Sequence, residues 1–402
     1  MINRIPLLLS HWKLVFVSYL FLFFIPILSE GRYYEVVYFD IIFNKIFLAF
    51  VFLALLFSGI IKIITKPVCH DVVFLFGLGV AMTVFNISML FFVQDMNFII
   101  TGFALMLAPL IYSLNIVQLK KIITIILIAV ISFGLLRVLD VSLNISLNPI
   151  TENRYYLISE GLESIRFQNN SLFGQKNAAG AILSITFLLL LYIESLNLFS
   201  RERKWFYFLS SFSFLLLLTT SSAGGVIIGL VGFLLWLVKK LRHRFSIGIV
   251  FFIYAICILW FVLSLNFEYT LDLKLLSASI KFERMYEFSL LIFENPSILL
   301  FGFNAFDEVT FYTESTFLDM ILNFGILIPI ALICFIVYMI VKTYLLKQFL
   351  LSFLYFAILF FLMVQNSAFL VPSIIGFLIA GSLHKKNKTF YSGSCILEKS
   401  KG

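Results

Sequence analysis

Two polar stretches of this 402-residue chain, residues 141–176 and 266–315, hold six cations between them. Arg154, Arg166 and Lys176 lie in the first, and Lys274, Lys281 and Arg284 in the second. Arg166 and Lys176 bracket "FQNNSLFGQ", which leads directly into an apolar segment starting near Asn177. A helix that starts there offers free backbone N–H groups and the positive end of its dipole. With cations flanking it, the junction suits an anion. In "SIKFERMYEFSLLIFENPSILLFGFN", Lys281, Arg284 and Phe288 are spaced three and four apart, so a helix puts them on one face. Taken singly, a Lys or Arg beside an apolar run is more often an anchor, its stem along lipid and its head in water. Six of them concentrated in two stretches predict a shared anionic partner instead. Phospholipid headgroups would satisfy the charge, but they would not require two elaborate segments.

The elements that position these residues are apolar. Hydrophobic residues make up 62% of the chain, charged residues 12%, and the mean hydropathy is +1.07. Runs of about 20 apolar residues recur along the whole length, which predicts an all-α, polytopic integral membrane protein. The length rule places about twelve transmembrane helices near 13–29, 41–65, 71–92, 98–117, 121–140, 177–198, 205–220, 223–239, 245–265, 316–342, 349–364 and 367–383. The first has a basic residue before it, as a signal peptide would. It lacks a small-x-small cleavage site, and it reads as a retained helix. Only the polar turn "TTSSAGG" divides the seventh span from the eighth.

Orientation follows from Lys and Arg. With both termini cytoplasmic, "QLKK", "SRERK", "KKLRHR" and "HKKNK" face inward. Twenty of the 29 Lys and Arg residues then lie inside, and 17 of the 21 Asp and Glu outside. The net charge of +8 is accounted for by these inner loops and calls for no nucleic acid. Residues 1–402 read as a single membrane domain. The stretches 141–176 and 266–315 are its two long outer loops, mixing Tyr, Phe, Leu and Ile with charge, as short amphipathic helices at an interface would. The 50 phenylalanines are as content against lipid as leucines are and signal no chemistry. Cys69, Cys257, Cys334 and Cys395 share no metal-type spacing, so neither a zinc site nor a disulfide framework is expected.

Four segments carry a resemblance to a known family. "FGQKNAAGAIL" resembles the Gly-x-x-x-Asn-x-x-(Ala/Gly) helix entry of the O-antigen polymerase and O-antigen ligase superfamily. "LTTSSAGGVIIGL" resembles its Leu-Thr-x-Ser-Arg-x-Gly turn. "ERMYEFSLLIFENPSILLFGFNAF" is similar to its Arg-led segment ending in Asn-Pro-x-x-x-x-Gly-x-Gly. "TESTFLDMILNFGILIPI" is similar to its His-Asn-x-x-Leu-x-x-x-x-x-x-Gly helix except at the first residues. The resemblance covers residues 163–341, under half of the chain. Two departures stand out. The turn's arginine falls on Ser222, and the histidine, prominent in ligases, falls at or beside Glu314 and Ser315. Polymerases vary more than ligases at that point.

The resemblance implies a GT-C-like fold in a bacterial inner membrane and glycosyl transfer at the periplasmic face. An acceptor hydroxyl attacks the anomeric carbon of a sugar chain linked to undecaprenyl diphosphate, and the polyprenyl diphosphate leaves. Fixed cations stabilise the charge growing on that leaving group, and the planar fork of Arg meets phosphate oxygens two at a time. Arg166 and Arg284 are the expected diphosphate ligands, with Lys176, Asn177 and Lys281 completing the cradle. A carboxylate within hydrogen-bond reach would activate the acceptor hydroxyl. Glu314, at the histidine position, is the first candidate, and Asp319 the second. Asp307 and Glu308 are adjacent carboxylates, but the reaction needs no metal and no cofactor. The expected partners are the lipid-linked oligosaccharide, membrane lipid and a chain-length regulator protein.

A ligase that moves finished glycan onto lipid A core fits the same segments nearly as well. A polysaccharide flippase or other transporter fits less well. Carrying a charged head across a bilayer favours ionisable residues near the midplane, whereas here they gather at span ends.

Overall fold

The computed structural model of the chain describes residues 41–65, 69–88, 96–143, 176–196, 203–220, 222–240, 282–283, 285–302, 315–364 and 373–386. These residues are helical apart from short connections, with no strand among them. In chain order the helices are α1 (Ile41–Thr65), α2 (His70–Ser88), α3 (Met96–Met106), α4 (Ala108–Ser113) and α5 (Ile116–Leu143). They continue with α6 (Lys176–Ser195), α7 (Arg203–Thr219), α8 (Ala223–Lys240), α9 (285–294) and α10 (Ile298–Phe301). The last four are α11 (Thr316–Phe324), α12 (Leu327–Leu345), α13 (Phe349–Val364) and α14 (373–386).

A helix that is apolar all round has no face for water and belongs in the interior. Helix α6 follows this rule, with every residue from 179 to 193 buried, packed among α7, α8 and α13. The few hydroxyls in it turn back on their own backbone: Ser184 Oγ donates to the Ala181 carbonyl at 2.9 Å. Residues 98–111 and 373–384 are buried throughout as well. Around them, α1, α2, α5 and α12 turn large apolar side chains outward, among them Phe57, Ile64, Phe74, Ile128 and Leu327. Among the described residues two helical segments, Ile116–Leu135 and Leu327–Leu345, are long and apolar enough to cross a membrane.

Small residues allow a close crossing of α2 and α3. At the α2–α3 crossing, a Cβ on Gly79 would stand 2.6 Å from the Gly102 carbonyl oxygen and 2.8 Å from the Met106 nitrogen. Gly77, one half-turn away on α2, has open space where its Cβ would be. Gly79→Ala is therefore expected to lower the thermal unfolding midpoint of the detergent-solubilised protein, because backbone cannot yield as a side chain can. Gly77→Ala is expected to hold or raise it, since Ala is the better helix former by about 1 kcal/mol. Equal midpoints for the two variants would contradict the crossing.

Two expected spans prove to be pairs of helices. The span at 98–117 is divided at Leu107, whose N–H is shared between the Phe103 and Ala104 carbonyls at 3.2 Å each. Pro109, in the first turn of α4, has no N–H to give the preceding turn and so ends α3. The span at 316–342 is split at Gly325, whose φ of +70° is a left-handed conformation that terminates α11. The turn "TTSSAGG" does separate two helices, α7 and α8.

The two ends of the bundle differ in chemistry. At one end, Glu194 joins three helices: it accepts from Tyr207 Oη at 2.7 Å, Trp236 Nε1 at 2.7 Å and Lys240 Nζ at 3.2 Å. Lys240 also lies over the Tyr207 and Trp236 rings, 4.6 and 4.2 Å from their centroids. At the same end Lys342, in the last turn of α12, pairs with Asp71 in the first turn of α2 at 2.7 Å. Lys386 of α14 donates to the Leu114 carbonyl just after α4. Here cations meet helix C-termini and carboxylates, as helix dipoles favour.

Candidate functional site at the loop end of the bundle

The opposite end holds the described residues that border both long polar stretches. The first lies between the C-terminus of α5 and the N-terminus of α6, and residues 303–314 lie between α10 and α11. A run of contacts joins the helix ends there. A Cβ on Gly180, in the second turn of α6, would stand 2.3 Å from Ser222 Cβ. One on Gly225 would stand 2.7 Å from the Gly180 carbonyl oxygen. The position of a Cβ on Gly224 is 3.8 Å from Phe360 and 4.0 Å from Phe361 of α13. Two residues beyond, the Met363 carbonyl accepts a hydrogen bond from Ser315 Oγ at 2.9 Å, at the start of α11. The entry to α6, the α7–α8 turn, the end of α13 and the start of α11 are thus neighbours in that order.

The segment 285–302 reaches the same place from the side. Phe288 of α9 and Ile298 of α10 bury themselves against Ile321 and Leu322 of α11. The backbones then interlock. Ile326 N donates to the Leu299 carbonyl at 2.7 Å, and Gly302, at φ +81°, leaves no room for a side chain beside the Leu322 carbonyl. Gly325 does the same against the Leu300 carbonyl. Glycine at both positions meets two demands at once, the left-handed φ and the close approach. The far side of α11 is sealed by Phe324, whose ring contacts Phe85 of α2 and Phe98 of α3 at centroid distances of 5.9 and 5.4 Å.

Helix α11 therefore sits among α2, α13 and the segment 285–302, and it carries a polar face. Thr316, Asp319 and Asn323 are spaced three and four apart, with Ser315 at the head of the helix, and all four are buried. Asp319 is 5% exposed, and its own carbonyl accepts from Asn323 Nδ2 at 2.7 Å. A carboxylate is held in an interior only with polar company. The fixed, nearly dry position that results strengthens any proton transfer or charge interaction it makes. Asp319 is the expected site residue that the described structure places inside this cluster. Ser315, Thr316 and Asn323 escape a reading that looks only for charges, yet their helical spacing is present in "STFLDMILNF".

Lys176 and Asn177 form the first turn of α6, as expected for a helix entry, and their side chains fall outside the description. Arg166, Lys281, Arg284 and Glu314 lie outside the described residues, as do Asp307 and Glu308. Phe288, four residues after Arg284, is the anchor of α9 on α11. Among the described residues no three His, Cys, Asp or Glu side chains gather where they could hold a metal ion. Ser222 is 1% exposed and wedged against Gly180, so this turn has no room for an arginine in its place. Compared with models of known families, with characterised proteins and with solved structures, the chain matches none.

Proposed function

We propose that this chain is a multi-pass membrane glycosyltransferase of the O-antigen polymerase kind. It crosses a bacterial inner membrane about twelve times with both termini in the cytoplasm. At the outer face it transfers glycan chains from undecaprenyl diphosphate onto lipid-linked repeat units. The observation that carries this reading is the meeting of separate segments at one end of the bundle. The α6 entry, the α7–α8 turn, the 285–302 segment and α11 are the four stretches that bear the family resemblance. They lie at that end as two packed pairs, the α6 entry with the α7–α8 turn and the 285–302 segment with α11, joined through the end of α13. A one-sided enzyme needs its donor and acceptor sites on one side. The apolar outer surface of α1, α2, α5 and α12 supports the membrane setting, since a surface of that kind is poorly tolerated by water.

In the proposed reaction Arg166 and Arg284 grip the diphosphate, with Lys176, Asn177 and Lys281 around them. Glu314 or Asp319 takes the proton of the acceptor hydroxyl as it attacks the anomeric carbon. The C–O bond to the polyprenyl diphosphate breaks, and its electron pair leaves with the diphosphate. Deleting the gene in the native host tests the assignment. Loss of a polymerase leaves lipid A core carrying a single repeat unit. Core with no repeat at all would point instead to a ligase or a flippase. Unchanged long chains would remove all of these.

A further inference from the structure

At the end of the bundle away from the loops, α8 has no direct chain connection to α6 or α7. The chain joins it to α7 only through residues 220–222, a whole helix length away. There the Lys240 ammonium of α8 reaches across to both neighbours. Its Nζ donates to Glu194 Oε1 of α6 at 3.2 Å and to Tyr207 Oη of α7, and it lies 4.2 Å from the Trp236 ring centroid and 4.6 Å from that of Tyr207. The walls around it are tied to one another. Tyr207 Oη donates to Glu194 Oε1 and Trp236 Nε1 to Glu194 Oε2, both at 2.7 Å, so the carboxylate tethers the two rings whatever cation lies against them. Beneath them Trp236 stacks on Phe233, which meets Phe214 of α7 and Phe187 of α6, at centroid distances of 5.7, 6.2 and 6.4 Å. The Glu194 side chain is 12% exposed and that of Lys240 35%, so the carboxylate is sunk and the cation enters from the rim.

A carboxylate, a phenol oxygen and two ring faces around one point suit an ammonium, since the oxygens accept from its N–H groups and the ring faces attract its charge. We propose that Glu194, Tyr207 and Trp236 form a binding site for a primary ammonium. Its resident occupant is Lys240, and its filling latches α8 to α6 and α7. Both oxygens call for N–H donors, so the site discriminates against a quaternary ammonium, which has none. The site does not depend on the proposed glycosyl transfer.

Thermal unfolding of the full-length protein in detergent tests this by emptying the site and refilling it. Lys240→Ala removes the stem beyond Cβ together with the ammonium, and n-propylammonium replaces what is lost. The variant is expected to unfold a few degrees below the parent. Titration with n-propylammonium chloride is expected to restore most of that loss, measured against sodium chloride at equal ionic strength. The parent, whose site is full, is expected not to respond. Tetramethylammonium chloride is expected to restore less. An unchanged midpoint for Lys240→Ala, no recovery beyond that in sodium chloride, or equal recovery with tetramethylammonium would each overturn the proposal. Lys240→Met separates charge from packing, because it keeps an apolar stem in place. It is expected to lose stability as Lys240→Ala does and to gain nothing from n-propylammonium. A midpoint equal to the parent's would show that the stem alone holds the helices, and would overturn the proposal as well.

Discussion

Arg166→Ala and Arg284→Ala are each expected to abolish chain lengthening while the protein still inserts and accumulates. In the proposed reaction the leaving group gains negative charge as the glycosidic bond breaks, and a guanidinium held beside it would stabilise that charge without reorganisation. Removing one preorganised donor of this kind costs about 10²–10³-fold in rate. Arg→Lys at either position is expected to impair lengthening too, because an ammonium is a point charge and cannot meet two phosphate oxygens with a planar fork. The glycan ladder from a complemented deletion strain is the readout, with an immunoblot of the membrane fraction to show that the protein is present. Full-length ladders from both Ala variants would remove the diphosphate site.

The second large effect is expected at Asp319. Asp319→Asn keeps the shape of the side chain but replaces one acceptor oxygen with an NH2 donor and cannot take a proton. Loss of a positioned general base lowers a rate by about 10²–10⁴-fold. Asp319 is nearly fully buried on a helix sealed by Phe324, Phe288 and Ile298, so an isosteric change leaves the packing in place. Glu314→Gln is the companion experiment. Whichever variant loses lengthening at normal abundance marks the base. If Asp319→Asn is as active as the parent, the carboxylate serves the fold alone, as a buried polar group that holds α11 in register.

Much of the architecture is legible in the chain itself, for a plain physical reason. A segment of about 20 apolar residues has few choices other than a helix, because every backbone polar group must be satisfied within the segment. Helices α1, α2, α5, α6, α7, α8 and α13 occur close to where apolar runs predict them, even across the thin divide "TTSSAGG". The breaks at Leu107 and Gly325 were not predicted from hydropathy, which does not register a Pro or Gly inside an apolar run. Pro109 and the pair Gly325 and Pro329 are the local signals that mark them.

Residue types alone determined that the chain is apolar, that its described residues are helical, and that Asp319 interrupts an apolar helix. Which of these parts meet was decided only in three dimensions. Gly180 and Ser222 are far apart in the chain, yet a missing Cβ on one makes room for the other. Leu299 and Ile326 share a backbone hydrogen bond that no periodicity encodes. Hydrophobic pattern sets which face of a helix is buried. It is silent on which neighbour buries it, because apolar contact is non-directional and partner choice rests on shape at the closest approaches.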